Sequence, residues 1–168
     1  MKKVNVLVEQ CDNVKEHLED LPENDRKGHK YLIDRFKSFK EIEVTYSTDN
    51  FPTTNEYTQT MYPSSDLYLG RDRGFDRPPY LKTEMHIENI KHTHVNDGTW
   101  KPHTKQWEQK SSLAIIYSAF TWEESYYFYI LELLLDTSED AHEYYRNYEL
   151  LEEWLEDAKT YRLSVQKN

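Results

Sequence analysis

Arg71 and Asp72 directly follow Leu69-Gly70, and about twenty residues later comes the run Lys91-His92-Thr93-His94-Val95. A glycine beside an Arg-Asp pair reads as a backbone turn that presents a guanidinium and a carboxylate. Side chains alternate along a strand, so a strand through the second run sets His92 and His94 on one face. An arginine, a carboxylate and two imidazoles held together could bind a phosphate and move a proton. His86 shares the parity of His92 and His94, which opens a metal site as a second reading. Its distance along the strand argues against that, because a carboxylate from elsewhere would have to complete the ligand set. A third reading makes the two histidines ordinary polar residues on a sheet surface and Arg71-Asp72 a structural ion pair in a turn.

The elements that must hold these residues can be read from periodicity. Val4, Val6 and Val8 alternate with Asn5, Leu7 and Glu9 as a first strand. Asp12 or Asn13 caps a helix from Val14 to about Leu21, which the Pro22-Glu23-Asn24-Asp25 segment breaks. A second helix from about Lys27 to Phe39 lines up Tyr31, Leu32, Arg35, Phe36 and Phe39. Residues 45–66, rich in Thr, Ser, Asn and Tyr with two prolines, are expected to be an irregular insertion. Thr83 to Val95 reads as a strand that ends at a hairpin-type signal, Asn96-Asp97-Gly98. Ser112 to Ser118 is an apolar run fit for a central strand, and Tyr126 to Leu135 is its antiparallel neighbour. Thr137 or Ser138 then caps a long terminal helix with Tyr144, Tyr148, Leu151, Trp154, Leu155 and Ala158 on one stripe. The expected fold is α+β: an antiparallel sheet with an N-terminal helical hairpin and a long C-terminal helix packed on one face. Residues 1–168 read as a single domain, since 168 residues at 37% hydrophobic suit one core and not two.

Composition narrows the function classes. The single cysteine, Cys11, cannot form an internal disulfide and reads as a small buried hydrophobe. Asn5, Glu9 and Gln10 interrupt the apolar run that a signal peptide would need, and no stretch is apolar enough to span a membrane. A cytoplasmic protein without a membrane partner is the expectation. The formal net charge is −10, which is unusual for a protein that grips a nucleic-acid backbone. The charge is uneven, however: between Arg71 and Lys110, eight Lys and Arg stand against six Asp and Glu, whereas 139–159 is strongly acidic. The acidic helix reads as a solvated face or as the surface for a basic protein partner. Tyr126-Tyr127-Phe128-Tyr129 and Tyr144-Tyr145-Tyr148 fit core packing better than base stacking.

Three pieces resemble the YafO-type toxins of bacterial toxin–antitoxin modules. They are Gly70-Arg71-Asp72, Lys91-His92-Thr93-His94-Val95 with Trp100 beyond it, and Lys110-Ser111-Ser112 leading through the apolar strands to Ala141-His142 and a helix ending near Arg162. The resemblance spans roughly residues 30 to 163. It implies a RelE/ParE-like fold and a ribosome-dependent mRNA interferase that needs no metal or other cofactor. Its partners would be mRNA, the ribosome and a cognate antitoxin. Carried onto this chain, it makes Arg71, His92, His94, Lys110 and His142 the catalytic candidates, with Asp72 orienting Arg71 or a histidine and Arg162 a further cation. Lys110 stands where many relatives carry an arginine, and a lysine binds phosphate as a point charge and not as a bidentate fork. From the residues alone, His142 could equally be a packing residue, and the helix dipole by itself would explain Arg162. Two other classes stay open: a non-catalytic acidic binding module on a degenerate toxin fold, and a metal-dependent nuclease that uses the histidine strand.

Overall fold

The computed structural model describes residues 4–46, 56–136 and 146–167. Its centre is a five-stranded sheet in the order β1-β5-β4-β3-β2. The strands are β1 (Asn5–Gln10), β2 (Leu69–Gly74), β3 (Lys91–Val95), β4 (Ala114–Trp122) and β5 (Ser125–Leu134). The sheet is mixed and not antiparallel throughout: β1 runs parallel to β5, and every other pair is antiparallel. The helices are α1 (Asp12–Asp20), α2 (Glu23–Tyr46), α3 (Glu56–Met61), α4 (Lys82–Ile87) and α5 (Tyr148–Gln166).

Helices cover both faces of the sheet, which corrects the expectation of one. On one face Val14 and Leu18 of α1 and Leu32, Phe36 and Phe39 of α2 pack on Ile115, Tyr117, Phe128 and Ile130. On the other, Leu151, Trp154, Leu155 and Ala158 of α5 and Met85 of α4 pack on Ala114, Ile116, Leu131 and Leu134. This two-sided cover explains why β4 is apolar at every position from Ala114 to Tyr117, since a strand buried on both faces has no solvent side to mark. The β4–β5 register slips between Ile116 and Tyr117, where Leu131 is the extra residue. Ile130 faces α2 and Leu131 faces α5 by ordinary alternation, and the bulge switches the parity beyond them, so that Leu133 faces α2 and Leu134 faces α5. Cys11 is buried, and its thiol donates to the Leu131 carbonyl at 3.2 Å.

Three local readings change. Thr83–Val95 is not one strand: residues 82–87 form α4, and β3 begins only at Lys91. Asn96-Asp97-Gly98 does turn the chain, with Gly98 at φ +89°, but β4 follows only after a long connection that includes a 3-10 turn at Gln106–Glu108. The segment before β2 contains α3, whose Gln59 packs against the sheet edge. Gln59 Nε2 donates to the Asp72 carbonyl, and its Oε1 accepts from the Asp72 N–H at 2.8 Å. One side-chain amide thus occupies a backbone pair that an edge strand would otherwise expose. At the C-terminal end, α5 is capped by Asn147, whose side chain accepts from Leu150 N–H. The proposed capping residues Thr137 and Ser138 lie outside the described residues.

Candidate active site

The two motifs meet across a β-bulge. Leu69 pairs with Val95 and Asp72 with Thr93, so Gly70 and Arg71 together stand opposite His94 alone. A bulge re-aims the side chains around it. Here Arg71 leaves the ladder and stacks on Trp107, with its guanidinium carbon 3.8 Å from the ring centre. Its backbone N–H donates to the Gln109 carbonyl at 3.0 Å. Gly70 makes that approach possible: a Cβ there would lie 2.5 Å from Trp100 Cη2 and 2.6 Å from the Gln109 carbonyl oxygen. The loop from Asn96 to Lys110 is therefore seated on the bare glycine, and it carries Lys110 and Ser111 to the histidines.

Arg71, His92, His94 and Lys110 line one cleft of about 550 Å³, together with Arg73, Phe75, Asp76, Arg77 and Ser111. Four of the five catalytic candidates thus converge from three separated segments. The fifth, His142, lies outside the described residues. The cleft opens on the α5 face, where Phe75 links the His92 ring, 5.1 Å away, to Trp154 of α5 at 6.2 Å. The rings of His92 and His94 stand edge to face, 5.0 Å apart.

The two imidazoles are set up differently. Burial is the main force on His92, and it drives the ring toward its neutral form. The nearby His94 adds to this, Asp72 opposes it, Arg73 and Arg71 push the same way as His94, and the pKa falls to about 3. His92 is therefore neutral across the physiological range and can offer a hydrogen bond but not a stored proton. His94 Nδ1 lies 2.8 Å from the Ser111 carbonyl. The Ser111 N–H also reaches Nδ1, at 3.3 Å, but the shorter carbonyl contact favours the proton on Nδ1 and the lone pair on Nε2. Positioning of that kind suits a general base.

Asp72 does not orient Arg71 or a histidine through its carboxylate. It points to the opposite side of the sheet with its register partner Thr93 and accepts from Lys40 at 2.5 Å, Tyr117 at 2.7 Å and Thr93 at 3.2 Å. Burial alone would raise its pKa. The charges of Lys40 and Lys91 and the hydrogen bonds from Lys40 and Tyr117 outweigh that and hold it at about 2. Arg162 is also elsewhere: it grips Glu88 at the end of α4 in a bidentate pair, at 2.9 and 2.8 Å, and tethers α5 to α4. His86 is exposed on α4 and borders a different cavity. Among the described residues, no three His, Cys, Asp or Glu side chains are grouped to hold a metal ion.

The sequence does not single out Arg73, Phe75 or Arg77 as cleft residues, nor Trp107 as the ring beneath Arg71. The parity of Arg73 was available, since it pairs with His92 across β2 and β3, but Arg77 and Trp107 depend on how the loops fold back. The tyrosine stripe of β5 packs within the protein: Tyr129 stacks on Tyr161 at 4.0 Å and Tyr127 on Phe120 at 4.9 Å.

Residues 45–163 match the family described as Toxin YafO, type II toxin–antitoxin system. The chain belongs to the YafO toxin family. As such it is the toxin of a type II pair, whose partner is a cognate antitoxin. The match covers β2 through most of α5, and so every described cleft residue, while β1, α1 and nearly all of α2 precede it. Lys40, which neutralises Asp72 of the Gly70-Arg71-Asp72 motif in this YafO-family toxin, therefore comes from outside the matched stretch. No curated protein and no solved structure matches the chain. Among the described residues, no helix is long and apolar enough to cross a membrane.

Proposed function

We propose that this YafO-family toxin is an endoribonuclease that cleaves mRNA in association with the ribosome, on a RelE-like scaffold, using the cleft between β2, β3 and the Lys110 loop. The observation that carries this reading is the convergence of Arg71, His92, His94 and Lys110 on one cleft, with Arg73 and Arg77 at its wall. A cationic pocket floored by two imidazoles is the equipment that RNA self-cleavage needs. His94 Nε2 takes the proton of a ribose 2′-hydroxyl, whose oxygen then attacks the adjacent phosphorus. The bond from phosphorus to the 5′-oxygen breaks, and that oxygen takes up a proton. The products are a 2′,3′-cyclic phosphate and a free 5′-hydroxyl. Arg71 is held flat against Trp107 and offers its fork to the phosphorane oxygens, with Lys110 adding a point charge. His92, being neutral, donates a hydrogen bond to a non-bridging oxygen. These residues carry the reaction without a metal ion.

Expression in growing cells tests the reading. Wild-type protein without antitoxin is expected to arrest growth, and Arg71→Ala, His92→Ala and His94→Ala to relieve the arrest while remaining folded and able to bind antitoxin. His142→Ala belongs in the same set, because the family resemblance names it. Full toxicity in all four folded variants would contradict the site.

A further inference from the structure

The Arg73–Asp76 strand end that walls the candidate cleft has a second cavity behind it. That cavity has a volume of about 770 Å³ and shares Arg73, Gly74, Phe75 and Asp76 with the first. Its other polar lining is Lys82, His86 and Lys91 with Glu56, Gln59, Asp72 and Asn89, and Trp107 also borders it. Lys91 opens β3 directly before His92, so period-two alternation turns the two side chains to opposite sides of the sheet. One strand thus supplies His92 to the first cavity and Lys91 to the second.

We propose that the second cavity is a subsite for the phosphodiester of a neighbouring nucleotide, with Lys91 as its anion-binding group and the Arg73–Asp76 strand end as the ridge the RNA strand crosses. This rests on the RNA-cleaving reading of the first cleft. Two observations besides the shared wall support it. Among the described residues, no carboxylate forms an ion pair with Lys91, and the nearby Asp72 and Glu43 are both engaged by Lys40. Burial and the Lys40 charge pull the Lys91 ammonium toward its neutral form more strongly than Asp72 and Glu43 restore it. A partly buried cation in that position gains from an incoming anion. The ridge is also low at its middle, because a Cβ on Gly74 would meet nothing within 4 Å.

Binding of 2′-O-methylated, uncleavable di- and tetranucleotides to the full chain tests this. Wild-type protein is expected to bind the tetranucleotide more tightly than the dinucleotide. Lys91→Gln should lose roughly tenfold for the tetranucleotide alone, the scale of one charged hydrogen bond. Its salt dependence should become shallower by about 0.7 in log–log slope, the loss of one single-strand phosphate contact. Lys91→Arg should restore both. Gly74→Val, which raises the ridge without touching Lys91, should show the same length-selective loss. As a measurement on unmutated protein, inorganic phosphate should move the Lys91 side-chain NMR signal. Equal losses for both lengths, or an unmoved Lys91 signal, would overturn the subsite. A wild-type protein that binds the dinucleotide but gains nothing from length would overturn the subsite and leave the first cleft standing. Binding to neither length would remove the RNA reading of both cavities.

Discussion

The Lys40 ammonium lies 2.5 Å from the Asp72 carboxylate, so the aspartate of the Gly70-Arg71-Asp72 motif turns its charge away from the arginine beside it. Three consecutive residues do three unlike things. Gly70 admits the loop that bears Lys110, Arg71 enters the cleft, and Asp72 locks the strand onto α2. The lock is fully buried, with Glu43 and Tyr117 also bonded to Lys40. The cleft's edge strand is thereby fixed by a residue that precedes the family-matched stretch.

Removing one partner of that pair should be costly. Lys40→Met leaves a buried carboxylate without its main counter-charge and is expected to cost about 3–5 kcal/mol, whereas the double variant Lys40→Met/Asp72→Asn should recover much of it. Stability should also respond to acid. Asp72 is held at about 2, below its unfolded value, so its contribution is fully present above about pH 4. It is lost as pH falls through the folded value toward 2. Urea denaturation of wild-type and double-variant protein at pH 7, 4 and 2.5 checks this: the wild type should lose more stability across that range than the double variant.

Gly70→Ala should disturb the site without touching its chemistry. The added methyl meets Trp100 and the Gln109 backbone at 2.5–2.6 Å, and backbone cannot yield cheaply. Overpacking of this kind costs about 1–3 kcal/mol. The Lys110 loop should lift, so activity should drop more than the stability loss alone explains. Gly28→Ala on α2 is the control, since its methyl meets open space and it lines neither cavity. Thermal melts and a toxicity assay on the two variants should separate them cleanly.

What the chain made legible follows from which signals are local. The parity of His92 and His94 and the apolar β4 and β5 act within a few residues, and the structure uses both; Gly70, expected in a turn, lies instead in a bulge of β2 and admits the loop that packs on it. The helix α4 was hidden because Met85 and Ile87 alternate with Glu84, His86 and Glu88, a pattern that a strand would also produce. Lys40 was missed for the opposite reason. It sits on the apolar stripe of α2 with Phe36, Phe39 and Val44, all buried, one residue beyond the expected end of the helix at Phe39. The family resemblance makes Asp72 an orienter of Arg71 or a histidine, while strand alternation sends its side chain to the other face. The second helical layer on the sheet could not be read from any one element, since it depends on which face each helix chooses.

His92 should not titrate in the range where activity is measured. With its pKa lowered to about 3 by burial and neighbouring charge, its ring signals in an NMR titration should stay constant from pH 8 to pH 5. The unfolded ring still takes up a proton near pH 6.5, so stability falls as pH drops from there toward 3. His92→Asn keeps a hydrogen-bond donor and should retain more activity than His92→Ala. A His92 midpoint between pH 5 and pH 8 would refute its role as a neutral donor.

A stabilising change is available far from the cleft. Glu123 and Glu124 join β4 to β5 at φ +46° and +62°, the left-handed pair of a two-residue hairpin turn. Side chains longer than Asn pay for that conformation, at roughly 1 kcal/mol per residue. Replacing the pair with Asn-Gly should raise stability by about 1 kcal/mol and leave toxicity unchanged, as read by urea denaturation and growth.

Cleavage of a ribosome-bound mRNA by purified wild-type, Arg71→Ala and His94→Ala protein, with product ends identified chemically, bears most directly on the cleft. The expected result is 2′,3′-cyclic phosphate and 5′-hydroxyl ends from the wild type. Each variant should lose about a hundredfold or more in rate while melting at the wild-type temperature. Wild-type rates from both folded variants, or products with other ends, would contradict the assignment of Arg71 and His94 to RNA cleavage.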